Sequence, residues 1–415
     1  MGAIGTKSSR FFAGLFVAVL LLAVVALAVP ANGGYTEAAN GNPASPTPQE
    51  QAMTRGDASR SRVLASAGPE QKPERLFWKS KELFRLRGGD AELNLGAAGT
   101  VRLDLPPIFD LTIPIIANDI IYFTLNIHHG YFYALNASTG EQIVMLRFDQ
   151  NGLSAPAALG TTAFFGTRTG RVYAYDVQTK SVKWSYQDEH GSFVSASPAI
   201  DGGVVYFCAE DIGAYAFIAK TGAVKWTFRS KDNVYGPAIG SDKVILLTAK
   251  GLLIALDKDS GTKAWEAKID RDTITPAVYQ QHIILVHDRG EIQSRSIADG
   301  SLQWRSKKYG GASGSAALID GKVFYGGRED STVALDVETG LEKWRFKTNR
   351  PCGSPVIAAR TLYVSCEDHK IYALDLDTGA EKWHYDNKKG TAPTPTFANG
   401  IMYVLVPDGY VYAVK

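Results

Sequence analysis

A turn followed four residues later by tryptophan recurs along the chain, and it restricts the possible folds more than any other feature. The turns lie 39 to 42 residues apart, and six of the seven tryptophans follow them at one fixed distance. The turn dipeptides are Thr139-Gly140, Thr179-Lys180, Thr221-Gly222, Ser260-Gly261, Asp299-Gly300, Thr339-Gly340 and Thr378-Gly379. The tryptophans are Trp184, Trp226, Trp265, Trp304, Trp344 and Trp383, with Val144 in the first copy. Such a period indicates one supersecondary unit repeated many times.

A second spacing gives the number of repeats. A proline, or alanine in one copy, is followed eight residues later by an apolar or aromatic residue. The first members of these pairs are Pro114, Pro156, Pro198, Pro237, Pro276, Ala316, Pro355 and Pro395. Each copy contains four short strand patterns, and four strands in about 40 residues are typical of a β-propeller blade. The sequence therefore predicts an all-β, eight-bladed propeller of four-stranded antiparallel blades.

The repeated turn and tryptophan have a structural explanation. Asp375 can accept hydrogen bonds from turn amides, and Gly379 can take a positive φ without steric cost. The tryptophan four residues later is expected to pack on the neighbouring blade and to donate its N–H to a backbone carbonyl. We therefore interpret the six repeated tryptophans as blade-packing residues.

The eighth repeat reaches Lys415 without a fourth strand, so closure of the ring needs a strand from elsewhere. We expect N- and C-terminal strands to pair, because closure removes an open sheet edge. Spacing favours residues 101–105, with Leu103 near the tryptophan position, paired with residues 410–413. The alternative is residues 76–80, which resemble residues 302–306. The favoured choice would leave residues 74–99 packed outside the ring.

The N-terminal segment has the composition of a targeting sequence. Lys7 and Arg10 precede an apolar run over residues 11–28 that ends in Ala-Leu-Ala. Residues 1–28 are therefore predicted to be a signal peptide or an uncleaved membrane anchor. The body of the protein is expected outside the cytoplasm, either periplasmic or secreted, or tethered to the inner membrane.

The composition changes again before the repeats begin. Residues 29–73 are rich in Pro, Ser, Ala and Gly and poor in large apolar side chains. Such a segment buries too little surface to offset the entropy of ordering, so it is predicted to be a flexible tether. The propeller domain is assigned to residues 74–415, with the ring beginning near residue 100.

Charge and cysteine content restrict the partners and the covalent links. The formal net charge is only +2, whereas nucleic-acid binding usually requires a clustered basic face. Cys352 and Cys366 flank a predicted hairpin around residues 358–360. A three-residue loop would place them opposite each other, and a two-residue loop would put them on opposite faces. A disulfide and buried free thiols both remain open, with Cys208 as the third cysteine.

The motif Ala-Leu-Asp-x-x-Thr-Gly-x-x-x-Trp, as at residues 373–383, resembles the repeat of the pyrroloquinoline quinone (PQQ) propeller superfamily. The resemblance covers about residues 100–415 and implies an eight-bladed ring. The superfamily contains quinoprotein dehydrogenases and also non-catalytic scaffolds that resemble the outer-membrane protein assembly factor BamB. The fold does not decide between these two functions.

The enzymes of that superfamily carry an adjacent cysteine pair over the quinone, calcium ligands and an aspartate base. This sequence has no adjacent cysteines and few insertions. Three acidic pairs, at residues 210–211, 329–330 and 367–368, could supply oxygen ligands for calcium but are better interpreted as turn carboxylates. We therefore expect no catalytic residue, metal site or cofactor, with a PQQ- and calcium-dependent dehydrogenase or a quinone-binding sensor as the alternative.

The loops vary in length on one predicted face only. Residues 187–193 form the longest connection between blades, and residues 126–130 lengthen the loop between second and third strands. In a propeller both kinds of loop open on the same face, where recognition can vary without disturbing the ring. The candidate partner-binding residues there are His128, His129, Arg168, Asp188, His190, Arg289, Arg328, Arg350, Lys388 and Lys389. The sequence thus favours a scaffold that docks protein partners of the cell envelope, with BamB-like assembly of outer-membrane proteins as its most specific form.

Overall fold

The structure, a computed structural model, describes the chain from residue 110 onwards with short gaps, together with parts of residues 51–104. The gaps are residues 127–128, 150–151, 190, 192–193, 195, 211–212, 271–275, 288–290, 307–313, 328, 388–393 and 407–409. The described parts before residue 110 are 51–53, 63–64, 68–69, 71–73, 76–81, 84–87, 90–94 and 100–104. The predicted signal or anchor segment, residues 1–28, lies outside the described residues. In the described part of the chain, no helix is long and apolar enough to cross a membrane.

Eight sheets of antiparallel strands succeed one another along the described chain, which confirms the predicted eight-bladed all-β propeller. Blades 1 and 2 consist of β8 (Ile115–Ala117), β9 (Ile120–Asn126), β10 (Gly130–Asn136), β11 (Gln142–Phe148), and β12 (Ala157–Leu159), β13 (Thr162–Gly166), β14 (Arg171–Asp176), β15 (Ser181–Gln187). Blades 3 and 4 consist of β16 (Ala199–Asp201), β17 (Val204–Ala209), β18 (Gly213–Ile218), β19 (Val224–Arg229), and β20 (Val234–Gly240), β21 (Lys243–Thr248), β22 (Leu252–Asp257), β23 (Lys263–Lys268).

The second half of the ring repeats the same order of strands. Blades 5 and 6 consist of β24 (Ala277–Tyr279), β25 (His282–Val286), β26 (Ile292–Ser296), β27 (Leu302–Ser306), and β28 (Ala317–Ile319), β29 (Lys322–Gly327), β30 (Ser331–Asp336), β31 (Glu342–Lys347). Blade 7 consists of β32 (Val356–Ala358), β33 (Thr361–Ser365), β34 (Lys370–Asp375) and β35 (Glu381–Asp386). Blade 8 consists of β36 (Thr396–Ala398), β37 (Ile401–Val406), β38 (Tyr410–Val414) and the N-terminal strand β3 (Leu76–Lys79).

The strands of a blade pair in chain order, and their burial follows their position in the ring. First strands of neighbouring blades contact one another, so the first strands lie around the axis. Second and third strands form the core between blades; every residue of β33, for example, is buried. Fourth strands lie on the outside and are less buried, as in β35, where Trp383 is buried between exposed Lys382 and half-buried His384. The apolar runs of the inner strands therefore face adjacent blades on both sides.

The turn between third and fourth strands is held by its aspartate, as the sequence predicts. Asp375 Oδ1 accepts hydrogen bonds from the Thr378 backbone N–H at 3.0 Å and from the Thr378 hydroxyl at 2.9 Å. The first of these bonds favours the charged carboxylate and lowers the pKa of Asp375. Gly379 follows at a φ of 72°, in the left-handed region.

Strands from both ends of the chain close the ring, as predicted, but the predicted strand was wrong. β3 pairs antiparallel with β38, with Trp78 opposite Ala413, and Ser80 N–H donates to Val411 O at 3.0 Å. Residues 100–104 form β6 (Thr100–Asp104) instead, in a separate sheet with β4 (Phe84–Arg87) and β5 (Asp90–Asn94). That three-stranded unit lies between the closing strand and blade 1 in sequence, so the usual interval no longer locates the closing strand.

Two further strands lie within the predicted tether. β1 (Gln51–Met53) pairs antiparallel with β12, the first strand of blade 2. β2 (Val63–Leu64) pairs in parallel with β32, the first strand of blade 7. Strand pairing therefore begins more than twenty residues before the predicted end of the tether at residue 73. A short strand β7 (Asp110–Leu111) pairs with β9 before blade 1 begins.

Cys352 and Cys366 form a disulfide in blade 7, and Cys208 is buried. The hairpin loop between β32 and β33 has two residues, Ala359 and Arg360, a length that was expected to place the two cysteines on opposite faces. That geometric expectation was wrong because the register slips by one residue between the pairs Val356↔Tyr363 and Cys352↔Cys366. The slip turns Cys352 to the same side as Cys366.

Candidate functional site

The two faces of the ring differ in how constant their loops are. The turns between first and second strands and between third and fourth strands lie on one face, here named the turn face. All eight first-to-second loops on it have two residues. The connections between second and third strands and between blades lie on the opposite face, named the variable face. Changes of loop length concentrate there, so the variable face is the candidate site for recognition.

The structure places three of the predicted partner-binding residues at the surface of the variable face. Arg168 and Arg350 are exposed. His129 is half-buried, and its Nε2 lies 3.0 Å from Arg147 Nη2 while its Nδ1 lies 3.1 Å from Asp149 O. Six other predicted residues, His128, His190, Arg289, Arg328, Lys388 and Lys389, lie outside the described residues.

Asp188 occupies a different environment from the one predicted, because its side chain is only 3% exposed. The Tyr215 hydroxyl donates a hydrogen bond of 2.5 Å to Asp188 Oδ2, and Arg229 Nη1 lies 3.5 Å from the same oxygen. Burial, followed by the Asp188 carboxylate, raises the pKa of Tyr215. Asp188 therefore links blade 2 to blade 3 beneath the variable face, and its side chain is too buried to contact a partner.

Blade 5 contains a buried polar network that was missed by the sequence analysis. Its third strand has Gln293, Ser294 and Arg295 where the third strand of blade 6 has Val333, Ala334 and Leu335. Arg295 is 8% exposed; its guanidinium donates to Gln293 Oε1 at 2.8 Å, Gly300 O at 2.9 Å and Lys268 O at 3.3 Å. Burial lowers the pKa of Arg295, against the opposing effect of nearby carboxylates. In the sequence, residues 293–296 depart from the Tyr-Ala-Leu-Asp pattern of the third strands. This departure could have indicated the polar network.

The same network contains a serine, a histidine and a glutamate in hydrogen-bond contact. His282 Nδ1 lies 3.0 Å from Ser294 Oγ, and His282 Nε2 lies 3.1 Å from Glu338 Oε1 of the next blade. Ser294 also donates to Gln303 Oε1 at 2.8 Å and has no exposed surface. A nucleophile must reach its substrate, so this set links blades 5 and 6 rather than performing acyl transfer.

Charged residues continue the network towards the variable face. Arg305 Nε lies 3.0 Å from Glu291 Oε1, and Arg305 Nη2 lies 3.4 Å from Asp270 Oδ2, which follows the last strand of blade 4. Gln293 Nε2 lies 2.7 Å from His287 Nε2. Blades 4 and 5 are therefore joined by charges and hydrogen bonds in addition to apolar packing.

Of the three acidic pairs, the one at residues 367–368 has its aspartate held in a turn, whereas Asp211 of the first pair lies outside the described residues. Asp368 Oδ2 accepts the Tyr372 hydroxyl at 2.7 Å, and its Oδ1 accepts Lys370 N–H at 3.2 Å. No group of three or more potential His, Cys, Asp or Glu ligands occurs among the described residues. Asp368 thus acts as a turn carboxylate.

The blade junctions show what the repeated tryptophan does. The indole N–H of a fourth strand donates to a backbone carbonyl three residues before the turn glycine of the next blade. The pairs are Trp78–Ala137, Trp184–Ala219, Trp226–Lys258, Trp265–Ile297, Trp304–Val337 and Trp344–Leu376, at 2.7–3.2 Å. A Cβ added to any of the six glycines would lie 2.6 Å or less from the indole. Tryptophan and glycine therefore form one interlocking unit, and Trp78 of the closing strand supplies it for blade 1.

The junction between blades 1 and 2 lacks both members of this unit. Val144 opposes Ala134 just as Trp184 opposes Ala174, and Lys180, at a φ of 53°, replaces the glycine. A cleft of about 460 Å³ opens on the turn face there, lined by residues that include Ile143, Val177 and Lys180. Lys180 has a Cβ at the position where, at the equivalent glycines of the other junctions, an added Cβ would meet the indole.

Restoring the unit at this junction is expected to stabilise the protein. We expect Val144→Trp combined with Lys180→Gly to raise the free energy of unfolding by about 1–2 kcal/mol, as cavity filling commonly does. Val144→Trp alone should give no gain, because the Lys180 Cβ obstructs the ring. A double-mutant cycle of unfolding free energies measures the coupling. Strict additivity of the two substitutions would show that they do not share the junction.

The fold and its junctions define the chain as an eight-bladed propeller of PQQ-like repeats. The family model for "Outer membrane protein assembly factor BamB" matches residues 99–233, 213–316 and 288–415. The chain therefore belongs to this family.

Individual proteins similar to this chain include one curated relative and several solved structures. The outer membrane protein assembly factor BamB of Yersinia pestis is 25% identical over 287 residues, covering 63% of this chain and 73% of the relative. The designed protein Ika8 matches with a TM-score of 0.64 and 15% identity, over 74% of this chain and 96% of its own. Quinohemoprotein alcohol dehydrogenase from Comamonas testosteroni matches with a TM-score of 0.64 and 12% identity, over 87% and 80%. At these identities the two structural likenesses show the fold alone.

Proposed function

We propose that this protein is a non-catalytic extracytoplasmic scaffold that binds protein partners of the cell envelope through the variable face and takes part in the assembly of outer-membrane proteins. The observation that carries the proposal is membership of the BamB family over residues 99–415. Loop variation confined to one face and the exposure of Arg168 and Arg350 on that face support it, since arginine is enriched at protein interfaces.

The described residues do not fit the quinone and calcium of the dehydrogenases that share the fold. The disulfide joins Cys352 and Cys366, which are 14 residues apart, rather than adjacent cysteines. No cluster of three candidate ligands occurs in the described part of the chain. β1 and β2 also lie against first strands at the axis. We therefore derive no redox step for this ring.

Site-specific photocrosslinking in cells tests the docking face. A photoreactive amino acid in place of Arg350 is expected to crosslink to components of the outer-membrane protein assembly machinery, identified by mass spectrometry. The matched control is the same substitution at Leu341, which is 67% exposed on the turn face of blade 6. Arg168→Glu with Arg350→Glu should reduce the crosslinks without lowering the unfolding midpoint. Equal crosslinking from both faces would contradict the proposal, as would stoichiometric retention of PQQ with calcium and dye-linked oxidation of an alcohol or sugar.

A further inference from the structure

The walls of the central channel are strand edges. Each first strand pairs with the second strand of its own blade, so its other edge faces the axis. An edge of this kind presents unpaired backbone N–H and C=O groups, which accept another extended strand. In blades 2 and 7 this edge is already paired, with β1 and β2. β1 also contacts β8 and β16, the first strands of blades 1 and 3.

We propose that the central channel is a docking site for an extended polypeptide, and that its resident occupant is the chain's own N-terminal segment, through residues 51–53 and 63–64. Within that segment, β1 runs from the turn face into the channel, and β2 runs back towards the turn face.

The directions of pairing give the path of the segment. Blades are related by rotation about the axis, so all first strands run the same way, from the variable face to the two-residue turns of the turn face. β1 is antiparallel to β12 and therefore runs from the turn face towards the variable face. β2 is parallel to β32 and therefore runs back to the turn face.

Contacts further along the chain place the exit on the turn face. Tyr363 donates its hydroxyl to Pro69 O at 3.0 Å, and Gly68 is buried so closely that a Cβ would lie 2.5 Å from that hydroxyl oxygen. The equivalent hydroxyl of Tyr403 bonds to Ala137 O, beside the turn of blade 1 on the turn face. β3 then begins at that face, because it is antiparallel to β38. The segment thus leaves the channel where the closing strand starts.

Exchanged cysteine pairs in the full-length protein test the docking. Ala52 opposes Ala158 on the wall of blade 2, and Val63 opposes Ile357 on the wall of blade 7. Paired strands lie about 5 Å apart, within reach of a short thiol-to-thiol crosslinker. The matched variants are Ala52→Cys with Ala158→Cys, and Val63→Cys with Ile357→Cys. The swapped controls, Ala52→Cys with Ile357→Cys and Val63→Cys with Ala158→Cys, contain the same four substitutions, so folding effects are balanced.

The expected result is a crosslink in both matched variants and at least tenfold less in the swapped ones, quantified by mass spectrometry after digestion. Comparable yields in all four variants, or no matched crosslink in variants that unfold cooperatively, would overturn the proposal. The readout involves no envelope partner. A failure here therefore leaves the proposed function standing, and a failure of the photocrosslinking test leaves the docked segment standing.

Discussion

Replacing Trp344 by alanine is expected to lower the free energy of unfolding by about 3–5 kcal/mol. The indole is 8% exposed, packs on Gly379 of the next blade, lies 5.7 Å from the ring of Phe324 and donates to Leu376 O at 3.2 Å. Truncation removes this burial and leaves a cavity between blades 6 and 7. Chemical denaturation followed by circular dichroism measures the loss, and unchanged stability would refute the interlocking role of the repeated tryptophan.

Two phenylalanine variants separate the hydrogen bond from the packing. Trp344→Phe keeps much of the apolar contact but leaves the Leu376 carbonyl without its donor, at an expected cost of about 1–3 kcal/mol. Trp383 is equally buried, yet its Nε1 has no hydrogen-bond partner among the described residues. Trp383→Phe should therefore cost less than Trp344→Phe. Equal losses would show that the carbonyl contact contributes nothing beyond packing.

Replacing Arg295 by alanine is expected to destabilise blade 5 by about 1–3 kcal/mol, the usual cost of leaving buried hydrogen-bond acceptors without their donor. Gln293 Oε1 and the carbonyls of Gly300 and Lys268 would lose their donor, and the Glu291 and Asp270 carboxylates would lose a nearby positive charge. The unfolding free energy in denaturant is the measurement. A loss below about 1 kcal/mol, typical of an exposed charge, would mean that the guanidinium is solvated rather than buried.

A matched replacement distinguishes the loss of one partner from the loss of polarity. The triple variant Gln293→Val, Ser294→Ala and Arg295→Leu gives blade 5 the third-strand residues of blade 6. Apolar replacement of a whole buried polar network is often neutral or stabilising, so this variant should be more stable than Arg295→Ala. His282 would lose its serine partner and retain Glu338. If the triple variant were the less stable, the network would contribute net stability to the junctions around blade 5.

The repeat could be predicted from the sequence because each blade must pack on its neighbours in the same way. Turn glycine and tryptophan depend on one another across a junction, so their spacing indicates the repeat, and the recurrent proline gives the number of blades as eight. The closing strand was misassigned because an interval is informative only without insertions, and residues 84–104 stand between that strand and blade 1. The better signal was chemical: Trp78 provides the indole that Gly140 accommodates, and Leu103 could not.

The candidate site was harder to predict from the sequence, because the blade repeat does not constrain the residues of the loops. The sequence located Asp188 in the longest connection but not its burial against Tyr215. Arg295 departs from the repeat pattern, and the spacing of the repeat identifies only residues that obey it. The paired strands of the predicted tether were unexpected for another reason: strand edges at the axis can order a segment whose own composition favours disorder.

Closure by β3 and β38 has a consequence for the order in which the molecule can form. The two strands are separated by more than three hundred residues, so their pairing has a very high contact order and a large loop-closure entropy. Blades 1 to 7 can form as the chain is synthesised, but β3 must wait until Val414 has been made. Until then blade 8 is incomplete and the walls of blades 1 and 7 that face it are bare. The final pairing is therefore expected to be the slow step of folding and the stage most exposed to aggregation.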